Sequence, residues 1–297
     1  MNRLFEIIKG SFIGLANIIP GVSGGTMAVI FKLYDKLITA IADFPKQPLQ
    51  SIKDLFFILL GALIGIIVGV FVIAYFYTKL PFVTTLVFVG FIIGGLKPIY
   101  KEVSGFYYKT PYWLGFLIAI VIIVGLPMMS SNMQIQTGFI YYIVLLLIGA
   151  LTAVTMIVPG VSGSMVLLVI GYYTHVLELA KSFITAFLNF DLEALLDLLI
   201  PVFLLGIGFV LGGILFSKLT KWVIIRYKNM FYTIVFGLVL SSPVAIIYIL
   251  NQSNPILNTK LSEVFIGLIL MIGAAYLAHA IIVKSENKKS QASERKH

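Results

Sequence analysis

The sequence predicts an all-α polytopic membrane protein made of two inverted repeats. Each repeat is expected to contain one re-entrant, broken-helix hairpin and three transmembrane helices. Of the 297 residues, 60% are hydrophobic and only 11% are charged, whereas soluble domains carry about 25% charged residues. A five-residue motif, Pro-Gly-Val-Ser-Gly, also occurs twice. Together these observations predict a single integral membrane domain over residues 1–283, followed by a polar cytoplasmic tail at 284–297.

The motif begins at Pro20 and again at Pro159. Proline lacks an amide donor and glycine tolerates backbone angles that other residues resist, so each copy interrupts a helix. Both copies lie in apolar sequence. A duplicated motif at a fixed offset indicates an internal repeat, with the first repeat at about 1–130 and the second at about 138–283.

The first motif predicts a re-entrant hairpin over residues 5–42. Only ten residues separate Lys9 from Pro20, and a helix of that length covers about 15 Å, half of the hydrocarbon thickness. Charged residues return soon after the break, at Lys32, Asp35 and Lys36. The second hairpin, over 139–173, is predicted mainly from the repeat, because its first arm is long enough to span alone.

Three apolar spans follow each hairpin. They are expected at 55–77, 82–96 and 112–128 in the first repeat, and at 198–216, 231–250 and 264–283 in the second. A polar connector is expected at 43–54 and an acid-rich one after residue 173, and the tail from Lys284 is expected to be disordered. Small residues at helical spacing predict close helix packing; they are Gly61, Gly65 and Gly69, echoed by Gly208 and Gly212, with Gly90 echoed by Gly237.

Three spans per repeat is an odd number, so the second repeat should enter the membrane from the opposite side. With the N-terminus inside, all but three of the 21 Lys and Arg residues fall on the cytoplasmic side, the exceptions being Lys79, Lys181 and Lys260. Cytoplasmic loops of membrane proteins are rich in these residues. Both termini are therefore expected in the cytoplasm.

Each break is followed by a predicted helix start at Ser23 or Ser162. The first amides of a helix have no internal partner, and together with the helix dipole and nearby hydroxyls they favour anions, above all phosphate. The predicted substrate-binding residues are Pro20, Gly21, Val22, Ser23, Gly24, Gly25, Thr26, Pro159, Gly160, Val161, Ser162, Gly163 and Ser164, with Asn17, Lys32, Lys36 and His175 as accessory residues.

Other interpretations of these residues stay open. The Pro-Gly pairs could simply kink spanning helices. Gly-Val-Ser-Gly also fits an intramembrane serine hydrolase with His279 as the base, although two equivalent serines suit a symmetric binding site better than a catalytic dyad. Lys32, Lys36 and His175 could be interfacial residues, and His175 could instead be proton-responsive. The sequence contains no metal-binding cluster, nucleotide loop or nucleic-acid module, so neither a metal nor another cofactor is expected.

The paired motifs, Pro20 to Thr26 and Pro159 to Ser164, resemble those of the PopT family of bacterial undecaprenyl phosphate translocases. The resemblance covers residues 1–283. It implies a non-enzymatic lipid flippase of the bacterial cytoplasmic membrane that returns undecaprenyl phosphate from the outer to the inner leaflet for cell-wall polymer synthesis, including peptidoglycan. A transporter of a small soluble anion is the alternative, and the chain could form a homo-oligomer. The motifs differ where Ser164 and Met165 replace Gly25 and Thr26, so the two sites need not be equivalent.

Overall fold

The computed structural model describes residues 3–31, 33, 36–37, 40, 47–103, 110–129, 138–157 and 162–294. Within these ranges the regular structure is helical. The α-helices are α1 (Arg3–Ile18), α2 (Gly24–Ile30), α3 (Pro48–Lys79), α4 (Pro81–Gly95), α5 (Lys97–Val103), α6 (Thr110–Met129), α7 (Phe139–Ile157), α8 (Gly163–Val169), α9 (Tyr173–Leu188), α10 (Leu192–Ser253) and α11 (Leu261–Glu294).

The six predicted spans correspond to apolar helices. Helix α10 bends at Tyr227, whose backbone is not helical (φ −129°, ψ 38°), and is divided there into α10a and α10b. Four segments are long and apolar enough to cross a membrane, namely Pro48–Lys79, Leu192–Leu215, Ile225–Gln252 and Leu261–Lys284. Shorter apolar helices are Pro81–Gly95, Tyr112–Gly125 and Phe139–Ala153. The chain is thus an all-α polytopic membrane protein, as the sequence predicts.

The glycine spacing predicted to allow close packing does so. Where α1 crosses α3, a Cβ atom on Gly14 would lie 2.0 Å from the Ala62 carbonyl oxygen, and one on Gly65 would lie 2.0 Å from the Ser11 carbonyl oxygen. Helix α7 crosses α10a in the same way, since a Cβ on Gly208 would lie 2.1 Å from a backbone oxygen of α7. Only hydrogen fits at these positions, so the helix backbones are in direct contact.

Two further helix pairs connect one repeat with the other. Helix α4 packs on α11, where a Cβ on Gly90 would lie 2.2 Å from the Met271 carbonyl oxygen. Helix α6 packs on α10b, where a Cβ on Gly237 would lie 2.9 Å from the Phe116 carbonyl oxygen. The pair α1–α3 therefore has its counterpart in α7–α10a, and α4–α11 has its counterpart in α10b–α6. This pairing supports the duplication, while the opposite membrane orientation of the repeats stays a prediction.

The main apolar cluster lies between α4 and the helix that follows the second break. It contains Phe88 and Ile92 of α4, Met165 and Leu168 of α8, and Tyr173 of α9. The ring of Phe88 meets that of Tyr173 edge to face, with ring centroids 5.4 Å apart. The core thus holds the α8 region of the second hairpin against a helix of the first repeat.

Two segments differ from expectation. The acid-rich connector contains helix α9, because it buries one side, including Leu177 and Ala186, while Glu178 and Lys181 lie outside that buried set. The expectation of a disordered tail is wrong as far as Glu294, to which α11 continues. The tail contains good helix formers, and its Glu286 forms an ion pair with Lys101 at 2.6 Å.

Candidate functional site

The first break is a sharp turn seated on α4. Helix α1 ends at Ile18, and Pro20 is fully buried. Gly21 adopts φ +84°, a left-handed conformation that favours glycine. A Cβ atom there would also lie 2.8 Å from the carbonyl carbon of Phe91. Gly21 is therefore required both by its backbone angle and by its contact with α4.

Helix α2 starts directly after this turn with unused donors. Ser23 is extended (φ −101°, ψ 127°), and the first helical hydrogen bond runs from the Met27 amide to the Ser23 carbonyl at 3.1 Å. The amides of Gly24, Gly25 and Thr26 precede that bond and have no partner within the helix. Gly25 is exposed, and the side chains of Ser23 and Thr26 are partly exposed. The start of α2 is thus an open group of amide and hydroxyl donors.

Asn17, predicted as an accessory residue, lies beside this group. A Cβ atom on Gly24 would be 2.5 Å from the Asn17 side-chain nitrogen, so Gly24 is covered by that amide. The space beside Gly25 is open, since a Cβ there would be 3.6 Å from the Ser23 hydroxyl oxygen. Asn17 therefore contributes an amide group at the edge of the open site.

In the second motif, the described part begins at Ser162 and has the same backbone conformation as the first motif but a different environment. Pro159, Gly160 and Val161 lie outside the described residues. Ser162 is extended (φ −106°, ψ 136°), very close to the conformation of Ser23. However, Ser162 and Ser164 are each only 7% exposed, Gly163 is buried, and the two hydroxyl oxygens lie 2.8 Å apart in a hydrogen bond. The described part of the second motif, Ser162 to Ser164, is therefore closed where the first motif is open.

Hydrogen bonds join the two motifs. The hydroxyl of Ser164 donates to the Ile19 carbonyl at 3.3 Å, and the hydroxyl of Tyr173 donates to the Ile18 carbonyl at 2.9 Å. Carbonyls at the end of a helix lack intrahelical partners. The second repeat supplies them here at the end of α1. Tyr173 is not among the site residues predicted from the sequence, although a tyrosine at the same repeat position, Tyr34, is a signal that could have identified it.

Lys36, a cationic accessory residue, contacts the beginning of the first hairpin. Lys36 forms an ion pair with Glu6 at 2.5 Å, and Glu6 is buried. The ammonium of Lys9 donates to the Phe31 carbonyl at 3.3 Å, just after α2. Lys32 lies outside the described residues. Lys36 is thus already paired with a carboxylate, which reduces its attraction for a phosphate.

The histidines occupy different settings. Nε2 of His175 lies 3.0 Å from the hydroxyl of Tyr141, in a hydrogen bond. Burial lowers the pKa of the His175 imidazole from its ordinary value, and the charge of Glu178 opposes part of this shift. His279 is exposed on α11, and the hydroxyl of Ser162 is bonded to Ser164 rather than to an imidazole. The Ser162 hydroxyl is therefore not paired with a histidine, as the nucleophile of a serine–histidine hydrolase would be.

Comparison with known proteins identifies the family. The family model described as undecaprenyl phosphate translocase-like matches residues 13–265. A protein of Vibrio cholerae serotype O1, named polyprenyl-phosphate transporter, is 30% identical over 82% of this chain and 77% of its own length. A protein of Staphylococcus aureus with the same name is 28% identical over 91% of this chain and 93% of its own. No solved structure shows a significant match. The chain therefore belongs to the undecaprenyl phosphate translocase-like family.

Proposed function

We propose that this protein carries undecaprenyl phosphate across the bacterial cytoplasmic membrane, from the outer to the inner leaflet. The returned lipid carrier would then be used again in the synthesis of cell-wall polymers, including peptidoglycan. The observation that carries the proposal is the open donor group at the start of α2, in a chain whose family match includes that group. Relatives named polyprenyl-phosphate transporter support the same class of lipid.

The first motif has the chemistry that a lipid phosphate needs. A phosphomonoester carries about −1.5 to −2 charges near neutral pH, and moving it through hydrocarbon without polar partners is prohibitive. Ser23, Thr26 and Asn17 offer side-chain donors, and Gly25 leaves room for a phosphate oxygen to approach the backbone. Because α2 has only seven residues, we assign the binding to these hydrogen bonds rather than to a helix dipole. The prenyl chain stays in the bilayer.

The contrast between the motifs suggests how the headgroup crosses. The structure has one motif open and the other closed by hydrogen bonds within the protein. We propose that Ser162, Gly163 and Ser164, together with Pro159, Gly160 and Val161, form the second binding site once the bond between Ser164 and Ile19 breaks. The first motif would close in the same step. The headgroup would then pass between two sites related by the repeat.

The charges support an orientation with both termini in the cytoplasm. In that orientation all but three of the Lys and Arg residues lie inside, on the side that these residues favour in membrane proteins. The first hairpin then opens toward the cytoplasm and the second toward the outside. Helix α1, with 16 residues, is about 24 Å long, shorter than the hydrocarbon layer of about 30 Å. This length supports a re-entrant first hairpin.

Transport by the purified protein in liposomes tests the function. Undecaprenyl phosphate should cross protein-containing liposomes faster than empty ones. Ser23→Ala should slow transport about tenfold or more at limiting lipid, because a hydrogen bond to a charged group contributes about 1.5–3 kcal/mol. Ser241→Ala is the matched control, since that hydroxyl donates to the Gly237 carbonyl one turn back in its own helix. It should transport at the wild-type rate.

Two results would replace the proposal. Free phosphate that is carried as well as the lipid, and competes equally for the site, would establish a small-anion transporter. A cleaved product, together with complete loss of activity in one motif serine variant and in His279→Ala, would establish a hydrolase. Undecaprenyl phosphate transport that other polyprenyl phosphates inhibit strongly and free phosphate inhibits weakly is the expected outcome.

A further inference from the structure

The repeat continues past the two motifs into the segments that follow. Adding 139 to a residue number in the first repeat gives its equivalent in the second, so Pro20 corresponds to Pro159 and Lys36 to His175. The run Tyr-Asp-Lys-Leu at 34–37 aligns with Tyr-Thr-His-Val at 173–176, and Phe44 aligns with Phe183. Lys36 and His175 are therefore equivalent positions, although their side chains differ.

Both residues contact the first helix of their own hairpin. Lys36 reaches back to Glu6 on α1, the first helix of its hairpin, and His175 reaches back to Tyr141 on α7, the first helix of the other. Glu6 corresponds to position 145 in the second repeat, one helical turn from Tyr141. In each hairpin, the contact joins the segment that follows the short helix, α2 or α8, to the first helix of that hairpin, α1 or α7.

We propose that Lys36 and His175 are equivalent positioning residues, each of which ties the segment after the short helix to the first helix of its hairpin, and that protonation of His175 releases the second hairpin alone. Histidine is the side chain whose charge ordinarily changes between pH 5 and 8. The contact between Lys36 and Glu6 contains no such group. One repeat position thus provides a constant tie in the first hairpin and a proton-sensitive tie in the second.

The physical basis is linkage between proton binding and conformation. In the closed contact, burial lowers the pKa of the His175 imidazole. Proton binding must then favour, by the same factor, conformations in which the imidazole is hydrated. Each pKa unit of difference corresponds to tenfold in that equilibrium. As the pH falls below the ordinary histidine value of about 6.5, the second hairpin should open more often.

The groups around His175 are consistent with a lowered pKa of its imidazole in the closed contact. Tyr141 of α7 and Tyr172 before α9 face its ring, with centroids 5.5 and 6.4 Å away. Glu178, one turn along α9, opposes the effect of burial. Helix α8 has no ionisable side chain, and Asp191, before α10, lines a groove with Glu178 and Lys181. The charge of Glu178 also acts on Tyr77 of α3. The described surroundings favour the neutral imidazole when the contact is closed.

Distance measurement between spin labels tests the contact between His175 and Tyr141 in the absence of the proposed substrate. The chain has no cysteine, so labels can be placed at exposed positions Ile140 on α7 and Ser182 on α9. In protein reconstituted in lipid nanodiscs, the population with the longer distance should rise at least threefold between pH 8 and pH 5. His175→Gln, which keeps hydrogen-bonding capacity but cannot be protonated in this range, should abolish the change. His279→Gln, which alters an exposed histidine elsewhere, should retain it.

A distance distribution that is the same at both pH values overturns the proposal, as does a pH response that persists in His175→Gln. Tyr141→Phe provides an independent check, since it removes the hydrogen bond while keeping the ring, and it should raise the longer-distance population at pH 8. If variants fold poorly, an NMR titration of the His175 imidazole in His279→Gln/His297→Gln protein decides, because a midpoint at or above the ordinary histidine value overturns the proposal. The inference rests on the proposed function only for the side of the membrane that the second hairpin faces. Transport with no pH-dependent distance change would therefore reject the tie and leave the function standing.

Discussion

The hydroxyl of Ser164 donates a hydrogen bond to the carbonyl of Ile19, 145 positions earlier in the chain. This bond joins the two breaks directly. While it is made, the Ser164 hydroxyl cannot donate to a ligand, because a hydroxyl has a single proton to donate. The second motif is therefore held closed by the backbone of the first, and opening one motif must change the contacts of the other.

Removing the second link between the motifs should lower stability. Tyr173→Phe deletes the hydroxyl that donates to the Ile18 carbonyl, and the free energy of unfolding should fall by about 1 kcal/mol, the usual net contribution of one hydrogen bond. Thermal unfolding of the detergent-solubilised protein measures this. Tyr172→Phe is the matched control and should unfold close to the wild-type temperature. Equal losses in both variants would show that the link contributes nothing specific.

Adjacent glycines of the first motif should respond differently to the same change. Gly25→Leu extends into open space, so it should leave the unfolding temperature nearly unchanged while blocking the site and reducing lipid transport more than tenfold. Gly24→Leu meets the side chain of Asn17 and should also destabilise the fold.

A double variant checks that explanation for Gly24. If the clash with Asn17 is the cause, Gly24→Ala should destabilise the protein, and adding Asn17→Ala should recover much of the loss, giving a coupling energy of about 0.5–3 kcal/mol. Thermal unfolding of the wild type, both single variants and the double variant completes the cycle. Additive effects would mean that Gly24 is needed for another reason.

Glycines at helix crossings should be far less tolerant than glycines that face open space. Gly65→Ala places a Cβ atom 2.0 Å from the Ser11 carbonyl oxygen, and such overpacking costs about 1–3 kcal/mol. Gly206→Ala meets nothing within 4 Å and should be neutral or stabilising by about 0.5–1 kcal/mol, since alanine favours helices. The unfolding temperature should therefore fall in Gly65→Ala and stay the same or rise in Gly206→Ala. Similar losses in both would contradict direct backbone contact between α1 and α3.

Cysteine labelling tests the orientation. Single cysteines at position 130, between the repeats, and at Gln252, near the end of α10b, should react with a membrane-impermeant maleimide added outside intact cells. A cysteine at Lys284 should react only after the cells are opened. Because the natural chain has no cysteine, each signal comes from one site. Labelling of positions 130 and 252 from the inside alone would reverse the proposed topology.

Much of the fold follows from composition and spacing. Long apolar runs predict the spans because the hydrocarbon layer offers no hydrogen-bond partners, so the backbone must satisfy its own amides and carbonyls within a helix. The repeated motif predicts the duplication, and glycine spacing predicts the crossings. Helix α9 was harder to predict, because Glu178 and Lys181 make its sequence resemble a connector, and its buried side is defined only by its neighbours.

The position of the candidate site could be predicted from the sequence, but which motif is open and which is closed could not. The sequence places Ser23 and Ser162 at equivalent helix starts, and their backbone angles agree. Their accessibility depends instead on distant residues, since Ser164 and Tyr173 bond to the end of α1. The tie between His175 and Tyr141 likewise needs the folded chain, although the alignment of Lys36 with His175 was available from the sequence.

The crossed pairing of α4 with α11 and of α6 with α10b has a consequence for how the chain could have arisen. Each half supplies one partner to both glycine-mediated crossings. A half-length polypeptide on its own would leave two close-packing helix surfaces unmatched. An ancestral single-repeat gene product would therefore have worked as a pair of copies. If the repeats are inverted, those copies must have inserted in opposite orientations. Co-expression of the chain as two fragments, split between α6 and α7, should consequently restore an assembled protein, whereas neither fragment alone should be stable.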